Sequence, residues 1–414
     1  MIILRKIERW LWYLFLISFP FQTRIILFQT DWYFQEWRAG FLYFSDIILA
    51  LLILLWLWQK RPSLKHEYVL AGFLMAAVVS LVNASEIRIS LHALIRLGEG
   101  IVLYLYISQY ALKRFTWEHS LAALVTGAMI QAGVAVAQFL NKSDVGLRYL
   151  GESALGIDMR GIASFFIPSG EKIIRAYGTF PHPNVLAVYL LVVLIALVYW
   201  MQTSRKKWLP VVYGFILFAF LLTFSRTVIV AGGMLGLWWG MWTLRRDKRL
   251  MLSIGIVTIA VAGLFFALFP QEVMSRFTLS GEEEAVQLRF YYNQEALKTG
   301  EQQLNWLGVG IGNFVSWLMT TQRNLPSSLY QPVHNLYLLI YAELGIIGLA
   351  LFVWWLAQKI WPHIKSRHWI ILGIMTSFLF ISSFDHFFWT IQQGRFLWWM
   401  VMGFLFSKES SPRT

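Results

Sequence analysis

The run LLVVLIALVYW, residues 190–200, is apolar all round a helix and shows no period-2 alternation. It therefore fits neither an amphipathic surface helix nor a strand of an outer-membrane barrel. A helix in lipid suits it, because such a helix satisfies every backbone group without water. About 20 apolar residues cross about 30 Å of hydrocarbon. Working outward from 190–200, twelve runs of this kind occur, near 10–28, 41–58, 68–84, 91–111, 121–140, 184–201, 208–224, 227–243, 251–269, 335–357, 369–387 and 394–406. The chain is expected to be all-α, a polytopic bundle of about 12 transmembrane helices in a single integral membrane domain over 1–414.

Composition points the same way. Of 414 residues, 58% are hydrophobic and 14% charged, against roughly 25% charged in a soluble domain. The net charge of +13 could suggest a nucleic-acid partner, but the 35 Lys and Arg are scattered between apolar runs. No nucleic acid is expected. The absence of cysteine excludes a disulfide framework, a thiolate nucleophile and a Cys-ligated metal. Arg5, Lys6 and Arg9 precede the first apolar run as in a signal peptide, yet that run is long, rich in Trp and Phe, and without a small-x-small cleavage site. It is read as a retained first span.

The basic residues report topology. The N-terminus, 59–67 (Lys60, Arg61, Lys65), 112–120 (Lys113, Arg114), 202–207 (Arg205, Lys206, Lys207), 244–250 (Arg245, Arg246, Lys248, Arg249), 358–368 (Lys359, Lys365, Arg367) and the C-terminal tail hold 20 of the 35. Short loops rich in Lys and Arg stay in the cytoplasm. Both termini are then cytoplasmic, and the long connections 141–183 and 270–334 are outer loops. Those two segments hold most of the residues capable of chemistry. The second is too long for a structureless loop. Ser280 followed by Glu283 reads as a capping box for a helix over 284–299.

Several motifs lie at the outer ends of spans. In RAYGTFPHPNVLAVYL, 175–190, Pro181 and Pro183 force an extended approach at His182, and Asn184 can cap the following span. Such a helix start seats anions, with Arg175 nearby, although a rigid surface turn is the plainer reading. In TFSRT, 223–227, Arg226 sits between two spans with almost no loop, a costly position that calls for an anionic partner or for snorkelling to the headgroups. Arg289, followed by Tyr291 and Tyr292, lies on the expected outer helix, either at a site or on a solvated face.

In PVHNLYLLIYAELGIIGLALF, 332–352, His334 and Asn335 open a span and Glu343 lies further inside it. A histidine there can act as a base, kept neutral by nearby arginines. Glu343 needs a buried partner or protonation. WLGVGIGNF, 306–314, resembles a phosphate cradle but lacks a preceding strand and a GK[ST], so close backbone packing is the better reading. Asp385, His386 and Arg395 share an outer turn and suit acceptor binding. Arg96 and Glu99 are spaced for an ion pair. No HExxH-like spacing occurs, and Glu282 with Glu284 reads as the acidic start of a helix, so no essential metal and no cofactor are expected.

The order GTFPHPN, TFSRT, a long outer loop with Arg289 and WLGVGIGNF, then VHNLYLLIYAELGIIG resembles the O-antigen ligase and O-antigen polymerase superfamily over about residues 170 to 400. The resemblance implies a membrane glycosyltransferase with a GT-C-like fold in the bacterial cytoplasmic membrane. The implied donor is a glycan on undecaprenyl pyrophosphate, and the implied acceptor is a hydroxyl of a glycolipid or other molecule at the outer face. It also implies inversion without a metal. On the same resemblance His334, Arg226 and Arg289 are the catalytic residues, with Arg175, His182, Asn184, Asn335, Tyr292, Glu343, Asp385, His386 and Arg395 toward substrate. A polysaccharide polymerase and a protein O-oligosaccharyltransferase use the same electrophile and base and stay open. A transporter would place polar groups near the midplane in two related halves, whereas these charges gather at one membrane face.

Overall fold

The computed structural model describes residues 2–60, 62–204, 206–243, 247–277, 284–300 and 305–407. The expected capping box at Ser280 and Glu283 lies outside these residues, as do Glu282, Arg61, Arg205, Arg245, Arg246 and the last seven positions of the tail.

In chain order the elements are α1 (Ile2–Ser18), β1 (Arg24–Gln29), β2 (Ala39–Tyr43), α2 (Phe44–Gln59), α3 (Tyr68–Val79) and α4 (Ile87–Tyr106), the last running through a π-turn into α5 (Leu112–Arg114). There follow α6 (Trp117–Asn141), β3 (Ser164–Phe166), β4 (Lys172–Ile174), α7 (Pro183–Thr203), α8 (Leu209–Leu222), α9 (Arg226–Thr243), α10 (Lys248–Leu268), α11 (Pro270–Phe277) and α12 (Glu284–Lys298). The chain ends with α13 (Phe314–Thr321), α14 (Leu336–Lys365), α15 (Trp369–Ser382), α16 (Phe387–Thr390) and α17 (Gln392–Leu405).

Each of the twelve apolar runs holds a helix. Among the described residues, five helices are long and apolar enough to cross a membrane: Ile87–Arg114, Trp117–Asn141, Pro183–Thr203, Lys248–Leu268 and Leu336–Lys365. Shorter apolar helices occupy Phe44–Gln59, Tyr68–Asn83, Leu209–Leu222 and Trp369–Ser382. The protein is a helical membrane protein, with two departures from the all-α expectation. The first run stops at Ser18, because Pro20 cannot continue a helix and pushes the residue before it toward extended backbone. The chain then forms a hairpin of β1 and β2, and a second antiparallel pair, β3 and β4, lies within 141–183.

Two compact units emerge. The first comprises Met1–Arg24, Tyr43–Leu55 and Arg114–Leu279. In it Trp12 Nε1 donates to Ser120 Oγ at 3.0 Å across α1 and α6, and the buried Glu8 pairs with Arg114 at 2.9 Å. Two buried amides of α6 then shape the segment before α7: Gln138 Oε1 accepts from the N–H groups of Tyr177 and Gly178, and Gln131 Oε1 from that of Thr179. Each closes a backbone group that lipid would leave unsatisfied.

The second unit comprises Ile25–Leu42, Trp56–Lys113 and Ser280–Thr414. In it α3 runs antiparallel to α14, with Tyr68 beside Trp354 and Phe73 beside Phe352. Arg96 and Glu99 form the expected pair at 2.9 Å on α4. Tyr292, Phe314, Leu318, Val333, Leu339 and Ala342 make a core that fastens α12 and α13 to the start of α14.

Candidate active site

In the first unit the polar residues gather on the turn between α8 and α9. Phe224 there has φ +45°, a left-handed conformation unusual for a side chain with a ring. The cost, about 1–2 kcal/mol, is met by packing against Phe139, Phe165 and Phe265. The bend directs carbonyls toward guanidinium groups. Arg175, 6% exposed, donates from Nε to Thr223 O at 2.7 Å and from a terminal nitrogen to Asn184 Oδ1 at 2.6 Å. Arg276 Nε donates to Phe224 O at 3.2 Å, and Arg226 to Arg276 O at 3.5 Å.

The capping differs from expectation. His182 caps α7, with Nδ1 accepting the N–H of Asn184 at 3.1 Å and Pro183 in the first helical position. Asn184 does not serve as the cap, because its side-chain oxygen instead accepts from Arg175 and from Ser225 Oγ. The three arginines therefore surround one strained turn at a helix start.

In the second unit His334 feels the opposed charges of Asp385 and Arg289. Its Nδ1 is buried and has no hydrogen-bond partner among the described residues. Its ring lies 4.9 Å from that of His386 and 5.9 Å from that of Tyr292. Burial above all lowers the His334 pKa from its ordinary value of 6.5; Asp385 opposes this and Arg289 adds to it. A neutral imidazole results, which is what a general base requires. His386 is held by Thr390 Oγ1 at 2.7 Å, by Asp385 Oδ1 on its backbone N–H, and by the edge of Trp37.

Other expected site residues have structural tasks. Tyr292 donates its hydroxyl to Leu329 O, and burial pushes its pKa up to about 12. Asn335 caps α14 through Tyr337 and Leu338 N–H and donates to Ser383 O, tying the helix start to the end of α15. Glu343 Oε2 accepts from Gly312 N–H and Trp389 Nε1, both at 2.8 Å. It thereby fastens the glycine loop, whose Val309 and Gly310 N–H groups donate to Ala342 and Glu343 carbonyls. A Cβ on Gly308 would come within 2.1 Å of the Glu343 backbone, so the glycines serve close packing. Arg395 donates to Trp389 O, Thr390 O and Gln392 Oε1, closing the turn that carries Asp385 and His386.

The expected catalytic residues divide, with Arg226 in the first unit, beside the expected substrate residue Arg175, and Arg289 and His334 in the second. Sequence reasoning passed over Arg276 and Trp37. An arginine near a span end reads as topology, and a tryptophan in a hairpin loop reads as an interfacial anchor.

No curated protein matches the chain. Residues 211–353 match the family model described as O-antigen ligase. That segment contains Arg226, Arg289, His334 and the Glu343 clamp, and over it the chain is similar to the O-antigen ligase family.

Proposed function

We propose that the protein transfers a glycan from undecaprenyl pyrophosphate to an acceptor hydroxyl at the outer face of the cytoplasmic membrane, inverting the anomeric centre without a metal. The family match supports a lipid-linked glycan as substrate. The observation that carries the reaction type is His334, whose buried Nδ1 has no hydrogen-bond partner among the described residues and whose ring neighbours those of His386 and Tyr292, with burial lowering its pKa toward the neutral form.

His334 takes the proton of the acceptor hydroxyl as its oxygen attacks the anomeric carbon. The new glycosidic C–O bond forms while the bond to the pyrophosphate oxygen breaks, and undecaprenyl pyrophosphate leaves with the electron pair. Asp385 steadies the imidazolium that results. Arginine forks suit the charge that develops on the departing diphosphate, a role assigned to Arg226 and Arg289 with Arg175 in support. Removing one such donor costs about 10²–10³ in rate.

The test uses purified protein and undecaprenyl-pyrophosphate glycan, divided among tubes with a lipid core, a protein acceptor, or no second acceptor. A product in the first, second or third tube identifies a ligase, a protein transferase or a polymerase. Transfer is expected to persist in EDTA. Release of no undecaprenyl pyrophosphate in any tube, with intact protein, would reject the proposal.

A further inference from the structure

A cavity of about 580 Å³ opens in the second unit, lined by Asn83, Ser85, Thr299, Asn305, Thr320, Trp306 and Trp317 together with Leu307, Gly308 and Val309. Among the described residues, none of the lining side chains carries a charge. That chemistry suits neither a diphosphate nor a cation. It suits a ligand that needs donors and acceptors in similar number together with flat apolar faces, which describes a pyranose chain. Small-molecule sites of about 300–1,000 Å³ are the usual range, so a short oligosaccharide fits in size.

The walls are preformed. Asn305 Oδ1 accepts from Gly308 N–H at 2.8 Å, and its amide donates to Thr299 Oγ1 and Tyr341 O. Asn83, which also lines the cavity, donates to Gly308 O at 2.8 Å, so its amide oxygen remains an acceptor. Ser85 and Thr320 donate to Asn313 Oδ1 and Trp317 O, so their oxygens remain acceptors. Ile346 N–H and Ile347 N–H hold the carbonyls of Asn305 and Trp306, yet the Trp306 side chain is 55% exposed. Its backbone is fixed and its ring is presented. Trp317 packs on the same core as Tyr292, whose ring neighbours His334.

We propose that this cavity is a glycan subsite, which seats sugar rings of a substrate chain on Trp306 and Trp317. It rests on the glycan-transfer reading, and the rings could belong to the lipid-linked donor or to a saccharide acceptor. Full-length enzyme, donor extracted from glycan-producing cells, and the acceptor found active separate the two sources through KM for each. Trp306→Ala and Trp317→Ala are expected to raise one KM by about tenfold with kcat nearly unchanged. Trp306→Phe should fall between. Trp32→Ala removes a 92% exposed indole outside the cavity and should leave both KM values alone.

Unchanged KM in both cavity variants would overturn the subsite, as would an equal shift in Trp32→Ala, which would assign the effect to membrane anchoring. A second readout keeps the two readings apart. Saturation-transfer NMR with the free glycan released by mild acid from the donor pool needs no turnover. Glycan signal in the wild type, lost in Trp306→Ala, supports the subsite even if no transfer occurs. Active enzyme showing no such signal counts against the subsite alone.

Discussion

The turn at 223–226 and the segment opening at His334 treat polar groups in opposite ways. The first engages Arg175 and Arg276 with its own carbonyls, and Arg226 with the carbonyl of Arg276, around a strained phenylalanine. The second leaves a buried ring nitrogen of His334 without a partner among the described residues and holds its neighbours instead: His386 by Thr390, Asn335 by the α14 amides, Glu343 by the glycine loop. One region fixes charge in place. The other frees a single atom to take a proton.

If that contrast is correct, truncations should separate by kind. His334→Ala is expected to lower kcat by about 10²–10⁴ with protein yield unchanged; wild-type turnover would remove it from the reaction. Arg226→Ala should cost about 10²–10³, and Arg226→Lys should recover part of that, since a point charge replaces a planar fork. Equal rates for Ala and Lys would mean that neither the stem nor a point charge contributes and that only the planar fork counts.

Gly308→Ala probes the clamp. A methyl there meets the Glu343 backbone, and φ is +74°, so a stability loss of about 1–3 kcal/mol or more is expected in detergent unfolding. A neutral outcome would mean the glycine loop is not pressed on α14.

The pH profile sharpens the second region. Because the base must be neutral and its pKa is lowered, activity should hold through neutral pH and fall only as pH drops through a value below 6.5. Arg289→Ala removes a lowering influence and should move that acid limb upward; Asp385→Asn should move it downward. Shifts of the opposite sign would displace His334 as the titrating group. The smallest effect is assigned to Tyr292→Phe, which loses one hydrogen bond to Leu329 O, worth about 1 kcal/mol, and should keep kcat near the wild type.

Much of this was legible from residue order. Apolar runs located the helices because lipid permits few alternatives, and the Arg96–Glu99 pair followed from helical spacing. The hairpin at 24–43 was not legible, since Ile25, Ile26 and Leu27 read equally as span or strand until Pro20 ends α1. Nor were the tasks of Glu343 and Asn335. A carboxylate inside a span announces a partner without naming it, and the partners, Gly312 and Trp389, lie 31 and 46 positions away. His182 displaced Asn184 as cap because Arg175 and Ser225 engage the asparagine oxygen, a competition invisible along the chain.

The most direct test of the central claim is the anomeric configuration of the first bond the purified enzyme makes, read by NMR against that of the sugar on its diphosphate carrier. Direct displacement by an alcohol that His334 deprotonates gives the inverted configuration. A retained configuration would require a covalent glycosyl intermediate and would contradict the account.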